Sequence, residues 1–162
     1  MSEEIKFSKT ATREDLYKDI LPQINSLIEV ESDLVANMAN ISAVLKEVFS
    51  FFWVGFYIVK NEELVLGPFQ GPLACTRIKK GKGVCGTAWE QAKTIIVEDV
   101  EKFPGHIACS ALSQSEIVVP IFKNQKVVAI LDVDSEHLNH FSSIDQKYLE
   151  ELAKLISTNW NS

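Results

Sequence analysis

No apolar run in the 162 residues approaches the length of a membrane-spanning helix, and the opening "MSEEIKFSKTATRED" is charged and polar where a secretory leader would be apolar. Both absences point to a cytoplasmic protein with no membrane role. Positive charge is scarce: 16 Lys and Arg stand against 22 Asp and Glu, for a net charge of −6. That balance speaks against nucleic acid or an anionic membrane surface as a partner. The one basic cluster, "IKKGKG" from Ile78 to Gly83, reads as a solvated loop. There is no GxGxxG or phosphate-loop pattern, no internal repeat and no low-complexity linker. Cysteine is limited to three residues with no CxxC, an odd number that disfavours a structural disulfide framework. In a cytoplasmic protein, where structural disulfides are rare, such thiols are expected to be catalytic or redox-sensing.

What is present is an ordinary globular composition, 46% hydrophobic and 23% charged, in a chain long enough for one domain with its own core. Residues 12–30 read as a helix, with Thr12 and Asp15 at capping positions and Leu16, Ile20, Ile24, Leu27 and Ile28 on one face. Pro22 is expected to kink or split it. A second helix, capped by Ser32, places Leu34, Val35, Met38, Ile41, Leu45 and Val48 inward. "FFWVGFYIV" reads as a central strand, and "LVLGPFQGP" as a returning strand that its glycines and prolines break. "LACTRI" is a third short strand, "VCGTAWEQAK" a short helix and "TIIVEDV" another strand. A long loop runs from Glu101 to about Ser113. "EIVVPIF", the turn "KNQK" and "VVAILDVD" form a hairpin, and Ser142 with Asp145 caps a last helix. Ile144, Tyr148, Leu152, Leu155 and Ile156 should form its buried face. The order ααβββαβββα with hairpin-length connections implies an α+β fold: a largely antiparallel sheet of five or six strands flanked by helices.

Two places carry chemistry. In "PGHIACSALSQSEIVVPI", Cys109 lies in a small, polar, loop-like segment rather than among Val, Ile and Leu. Cys75 and Cys85 likewise sit beside small residues, 10 residues apart, with Cys109 a further 24 along. A zinc site would need a fourth ligand, and His106 with Cys109 is a poor match to the usual paired spacings, so no metal is expected. A nucleophile with one or two resolving thiols fits better, with Gly81, Gly83 and Gly86 allowing movement or simply making tight turns. His106, three residues before Cys109, is either a helper or a solvated loop histidine. In "VVAILDVDS", Asp132 and Asp134 are two apart and point to one side of a strand that should be covered on both faces. They either face a polar cavity or end the strand in a solvated turn. A hairpin turning at Asn124 and Gln125 would bring Glu116 level with Asp134, so three acids would converge at one end of the sheet. Crowded carboxylates cannot all ionise, and one should hold a proton near neutral pH. Such an acid could protonate an S=O oxygen during thiolate attack on its sulfur, and the group could hold a substrate ammonium. Trp53 is either core packing or a pocket wall for a methyl or thioether group.

These segments resemble the GAF-domain free methionine-(R)-sulfoxide reductases. The resemblance is carried by "SFFWVGFYIV", "LVLGPFQGPLACTRI", "GKGVCGTAWEQ", "HIACSALSQSEIVVPI" and "VVAILDVDSE", and it covers nearly the whole chain. It implies a single GAF domain over 1–162, with N-terminal helices over 12–48, sheet and active-site loops over 51–134, and a C-terminal helix over 142–157. It implies Cys109 as the nucleophile that becomes a sulfenic acid, Cys75 as the main resolving thiol and Cys85 as a second, less essential one. Glu116, Asp132 and Asp134 would bind the amino group and polarise the sulfoxide oxygen, Trp53 would hold the methyl, and amides from Ser110 to Ser115 would hold the carboxylate. No cofactor is implied beyond thioredoxin as external reductant, in a repair and antioxidant role, and a homodimer on the N-terminal helices is compatible with it. The R preference comes from the resemblance alone. The alternative is a redox- or ligand-sensing GAF module that signals without turnover.

Overall fold

Two tight turns set the register of the sheet. Asn61 and Glu62, and again Asn124 and Gln125, take positive φ between 50° and 66°, the left-handed pair with which a two-residue hairpin follows the twist of its strands. The computed structural model describes residues 4–107 and 109–161. In chain order the elements are α1 (Arg13–Glu29), α2 (Leu34–Phe49), β1 (Trp53–Lys60), β2 (Glu63–Gln70), β3 (Arg77–Lys79), α3 (Gly83–Gln91), β4 (Ile95–Val97), β5 (Ser115–Lys123), β6 (Lys126–Ser135) and α4 (Ser143–Thr158). A short 3-10 turn, Val100–Lys102, follows β4. The strands pair antiparallel in the order β3-β2-β1-β6-β5-β4. This is the α+β architecture that the connection lengths imply, with six strands.

Strand parity divides the protein into two cores. On one face α1, α2 and α4 cover Val54 and Phe56 of β1, Ile117 of β5 and Leu131 of β6, together with Phe51 just before the sheet. On the other, α3 and the long loops cover Trp53, Tyr57, Val118 and Ile130. The first face is closed by a buried ionic knot. Fully buried Asp145 accepts from Tyr17 Oη at 2.6 Å, from Arg13 Nη1 at 2.9 Å and from the Ser142 amide at 2.9 Å. Those donors offset the cost of burying its charge, and the last completes the capping box of α4.

Several local expectations are corrected. Pro22 does not split α1; it lies on the exposed side, where water can take the carbonyl that a missing N–H leaves free. Asp33, not Ser32, caps α2, its carboxylate accepting from Ala36 N at 2.8 Å. Val35 is 57% exposed and Ile144 36% exposed, because the inward stripes instead include Val44 in α2 and Leu149 and Ala153 in α4. β2 runs on through Gly67 and Pro68 as a bulge: Gly55 pairs with Phe69 and Tyr57 with Leu66, so these two residues oppose the single Phe56 of β1. A Cβ on Gly55 would stand 2.3 Å from Phe69 Cβ, so the bulge requires glycine there. "LACT" is loop; only Arg77–Lys79 pairs as strand, which leaves Cys75 off the sheet.

Candidate active site

The register of three adjacent strands builds one wall. Trp53 on β1 pairs with Asp134 on β6, which pairs with Glu116 on β5. Asp132 follows one pair inward, between Gly55 and Val118. All four side chains belong to the face under α3, so the expected convergence of three acids is observed, and it lines a cavity rather than a solvated turn. The cavity is about 50 Å³ and is bounded by Trp53, Tyr57, Cys85, Cys109, Glu116, Asp132 and Asp134, with Lys82, His106 and Ser113 at its margin.

The thiols are placed by three different devices. α3 carries Cys85 to the floor, 5% exposed and the one free cysteine. Gly86 beside it lies so close to the preceding loop that a Cβ would stand 2.4 Å from Lys79 O; its role is close packing, not mobility. Cys109, in the loop that returns over this face, is joined to Cys75 with a Cα–Cα distance of 5.6 Å. Tyr57 Oη donates to the Cys75 carbonyl at 2.8 Å, tying the far cysteine to the sheet. Trp53 stacks on Phe69 with centroids 5.2 Å apart and donates through Nε1 to Pro72 O at 3.1 Å. It is thus both core residue and pocket wall.

Electrostatics at this wall are those of acids short of counterions. Burial, followed by repulsion from Asp134, pushes Glu116 up to about 8. Burial, then the Glu116 charge, holds Asp132 well above the usual carboxylate range, and burial, then Asp132, does the same to Asp134. Burial foremost, then the charges of Asp132 and Glu116, raises the Cys85 thiol. Most of the group is therefore protonated near neutral pH. Ser113 Oγ donates to Asp134 Oδ1 at 2.8 Å, and Cys85 Sγ lies 3.7 Å from Glu116 Oε1. Among the described residues Asp132 Oδ1 is buried without a hydrogen-bond partner, an acceptor left unsatisfied at the cavity wall. His106 is partly buried, and burial lowers its pKa; it borders the cavity as a neutral group.

Two amides expected to receive a carboxylate are otherwise engaged. Leu112 N donates to Ser110 Oγ at 3.3 Å and Gln114 N to Ser135 O at 2.7 Å. The start of α3 offers a replacement: no side chain caps it, and Gly83, Val84 and Cys85 line the cavity. Sequence reasoning missed this helix terminus, along with Tyr57, Ser113 and Lys82. Tyr57 was accessible by parity, four residues after Trp53. Ser113 and Lys82 lie in loops, where no periodicity marks orientation.

Known proteins with this architecture share its sequence as well. The GAF domain family profile matches residues 31–160. The GAF domain-containing protein A of Dictyostelium discoideum is 59% identical over 157 residues, 96% of this chain and 99% of its own. The free methionine-R-sulfoxide reductase of Saccharomyces cerevisiae is 38% identical over 165 residues, 96% of this chain and 92% of its own. The X-ray structure of the Neisseria meningitidis free methionine-R-sulfoxide reductase in complex with its substrate superposes with a TM-score of 0.94 at 54% identity. That match covers 96% of this chain and 94% of the other.

Proposed function

The chain belongs to the GAF domain family, in the branch that holds the free methionine-R-sulfoxide reductases, and we propose that it reduces free methionine-R-sulfoxide to methionine with its own thiols. The observation that carries this reading is the meeting of a Cys75–Cys109 disulfide with three clustered acids, Glu116 and Asp132 buried and Asp134 beside them, at one small cavity. The relatives supply the identity of the substrate and its R configuration.

In this mechanism Cys109, as thiolate, attacks the sulfoxide sulfur while the acid group delivers a proton to the oxygen. As the S–O bond breaks, the hydroxyl passes to the Cys109 sulfur and the bond between the two sulfurs is released, so methionine leaves reduced by two electrons and Cys109 becomes a sulfenic acid. Cys75 then attacks that sulfur and expels water, which closes the disulfide. Thioredoxin, as external dithiol, returns two electrons and two protons. Carboxyls held neutral do not repel a neighbouring thiolate. The substrate ammonium meets Asp132 Oδ1 and lets one acid ionise, its carboxylate faces the uncapped amides of α3, and its methyl rests on Trp53. Recognition of both ends of one amino acid excludes methionine sulfoxide within a polypeptide. No helix among the described residues is long and apolar enough to cross a membrane. We place the enzyme in the cytoplasm, where a reducing thioredoxin pool sustains turnover and recovery of methionine serves an antioxidant role. Val30 at 83% exposure and Val35 at 57% give the N-terminal helices an apolar surface for a homodimer.

The test is a thioredoxin-coupled assay that follows NADPH consumption on the separate R and S epimers of free methionine sulfoxide. Multiple turnovers on R alone, abolished by Cys109→Ser, are expected. At most one equivalent of thiol oxidised on either epimer would instead indicate a sensor.

A further inference from the structure

The deep end of the cavity holds donors that the reductase chemistry does not fully use. Cys85 Sγ and one carboxylate oxygen each from Glu116 and Asp132 lie within 4.8 Å of one another, and all three residues are buried. Tetrahedral zinc, with bonds of about 2.3 Å to sulfur and about 2.0–2.2 Å to oxygen, sets sulfur and oxygen about 3.6 Å apart. Cys85 Sγ and Glu116 Oε1 are already 3.7 Å apart. Asp132, 6% exposed, has one oxygen, Oδ1, buried without a hydrogen-bond partner among the described residues. Among the described residues no lysine or arginine pairs with either acid, so no cation of the chain competes for their oxygens.

We propose that Cys85, Glu116 and Asp132 form a binding site for Zn2+ at the floor of the cavity. Three protein donors leave the fourth tetrahedral position toward the cavity for water, the arrangement of an open rather than a structural site. The sulfur donor and the low ligand count select a borderline-soft ion over Mg2+ or Ca2+, which require six or more oxygens. Binding exchanges protons on the ligands for the metal and involves no redox change. Inhibition follows because the ion takes Asp132 Oδ1 and the space of the substrate ammonium; that consequence, unlike the binding itself, rests on the reductase reading.

With the Cys75–Cys109 disulfide closed, Cys85 is the sole free thiol, so oxidised protein gives a clean test. Co2+ titrated at pH 8 should bind one-to-one with a sulfur-to-cobalt charge-transfer absorption that one equivalent of Zn2+ bleaches. Cys85→Ser should lose the band, and Asp132→Asn and Glu116→Gln should each weaken Co2+ binding at least tenfold, with folding checked by circular dichroism. A wild-type protein without the band, or carboxylate variants that bind as tightly as wild type, would overturn the site. In reduced protein Zn2+ should raise the apparent KM for the sulfoxide; full occupancy with unchanged turnover would overturn the inhibition. Absence of turnover in metal-free protein would count against the reductase reading and not against the site.

Discussion

Glu116→Gln should make the protein more stable and nearly inactive, and the two effects can be sized separately. In the folded chain the Glu116 carboxyl moves from 4.5 to about 8, first through burial and then through Asp134. At about 1.4 kcal/mol per pH unit, ionising it in place costs about 5 kcal/mol relative to the unfolded chain. The folded state holds this proton more tightly, so the contribution to stability is fully present below pH 4.5 and is lost as pH rises through about 8. At pH 7 about 3 of those about 5 kcal/mol are already gone. Glutamine keeps the shape and cannot ionise, so the variant should gain on wild type by up to about 5 kcal/mol between pH 4.5 and 8.5. Activity moves the other way: loss of a general acid costs about 10²- to 10⁴-fold in kcat. Urea unfolding of the reduced proteins at five pH values, beside single-turnover methionine release, measures both. Stability curves that run parallel across the pH range, or kcat within about tenfold of wild type, would refute the reasoning.

Other substitutions separate binding, resolution and folding. Trp53→Leu removes an aromatic face worth about 0.3–1.5 kcal/mol to a sulfur-bearing group, so KM should rise about two- to tenfold with kcat less affected. Steady-state kinetics decides it, and a fall in kcat alone would remove Trp53 from binding. Tyr57→Phe deletes the hydrogen bond to the Cys75 carbonyl. Closure of the disulfide should slow about fivefold, from about 1 kcal/mol of lost positioning, and dimedone should trap more sulfenic acid; unchanged trapping would dismiss the tether. Tyr17→Phe leaves Asp145 without its 2.6 Å donor far from the cavity. It should lose about 1–3 kcal/mol of stability with turnover per folded molecule intact.

The fold was readable where one rule governed a long segment. Asn124 and Gln125 fixed the hairpin, and with it the pairing of Glu116 and Asp134; parity alone placed Asp132 and Asp134 together. The apolar stripe of α4 and its cap at Ser142 and Asp145 were equally clear. Reading failed where tertiary packing overrode a local signal. Gly67 and Pro68 stay in a strand because they form a bulge opposite Phe56, where "LVLGPFQGP" taken by itself reads as a strand that breaks. Val35 and Ile144 obey helical spacing yet stay exposed, since the period tells which residues share a face and not how far the neighbouring layer extends. At the site, all seven predicted residues gather at one cavity or its disulfide. The uncapped start of α3 was hidden because it is an absent side-chain contact, which a sequence does not display.

The most direct measurement adds one equivalent of free methionine-R-sulfoxide to fully reduced protein without any reductant. Methionine released and thiols consumed are then counted, and the disulfide is mapped by peptide mass spectrometry. One methionine per molecule, two thiols lost and a bridge between Cys75 and Cys109 is the predicted result. Methionine released with all thiols intact, or a bridge that excludes Cys109, would contradict the proposed chemistry.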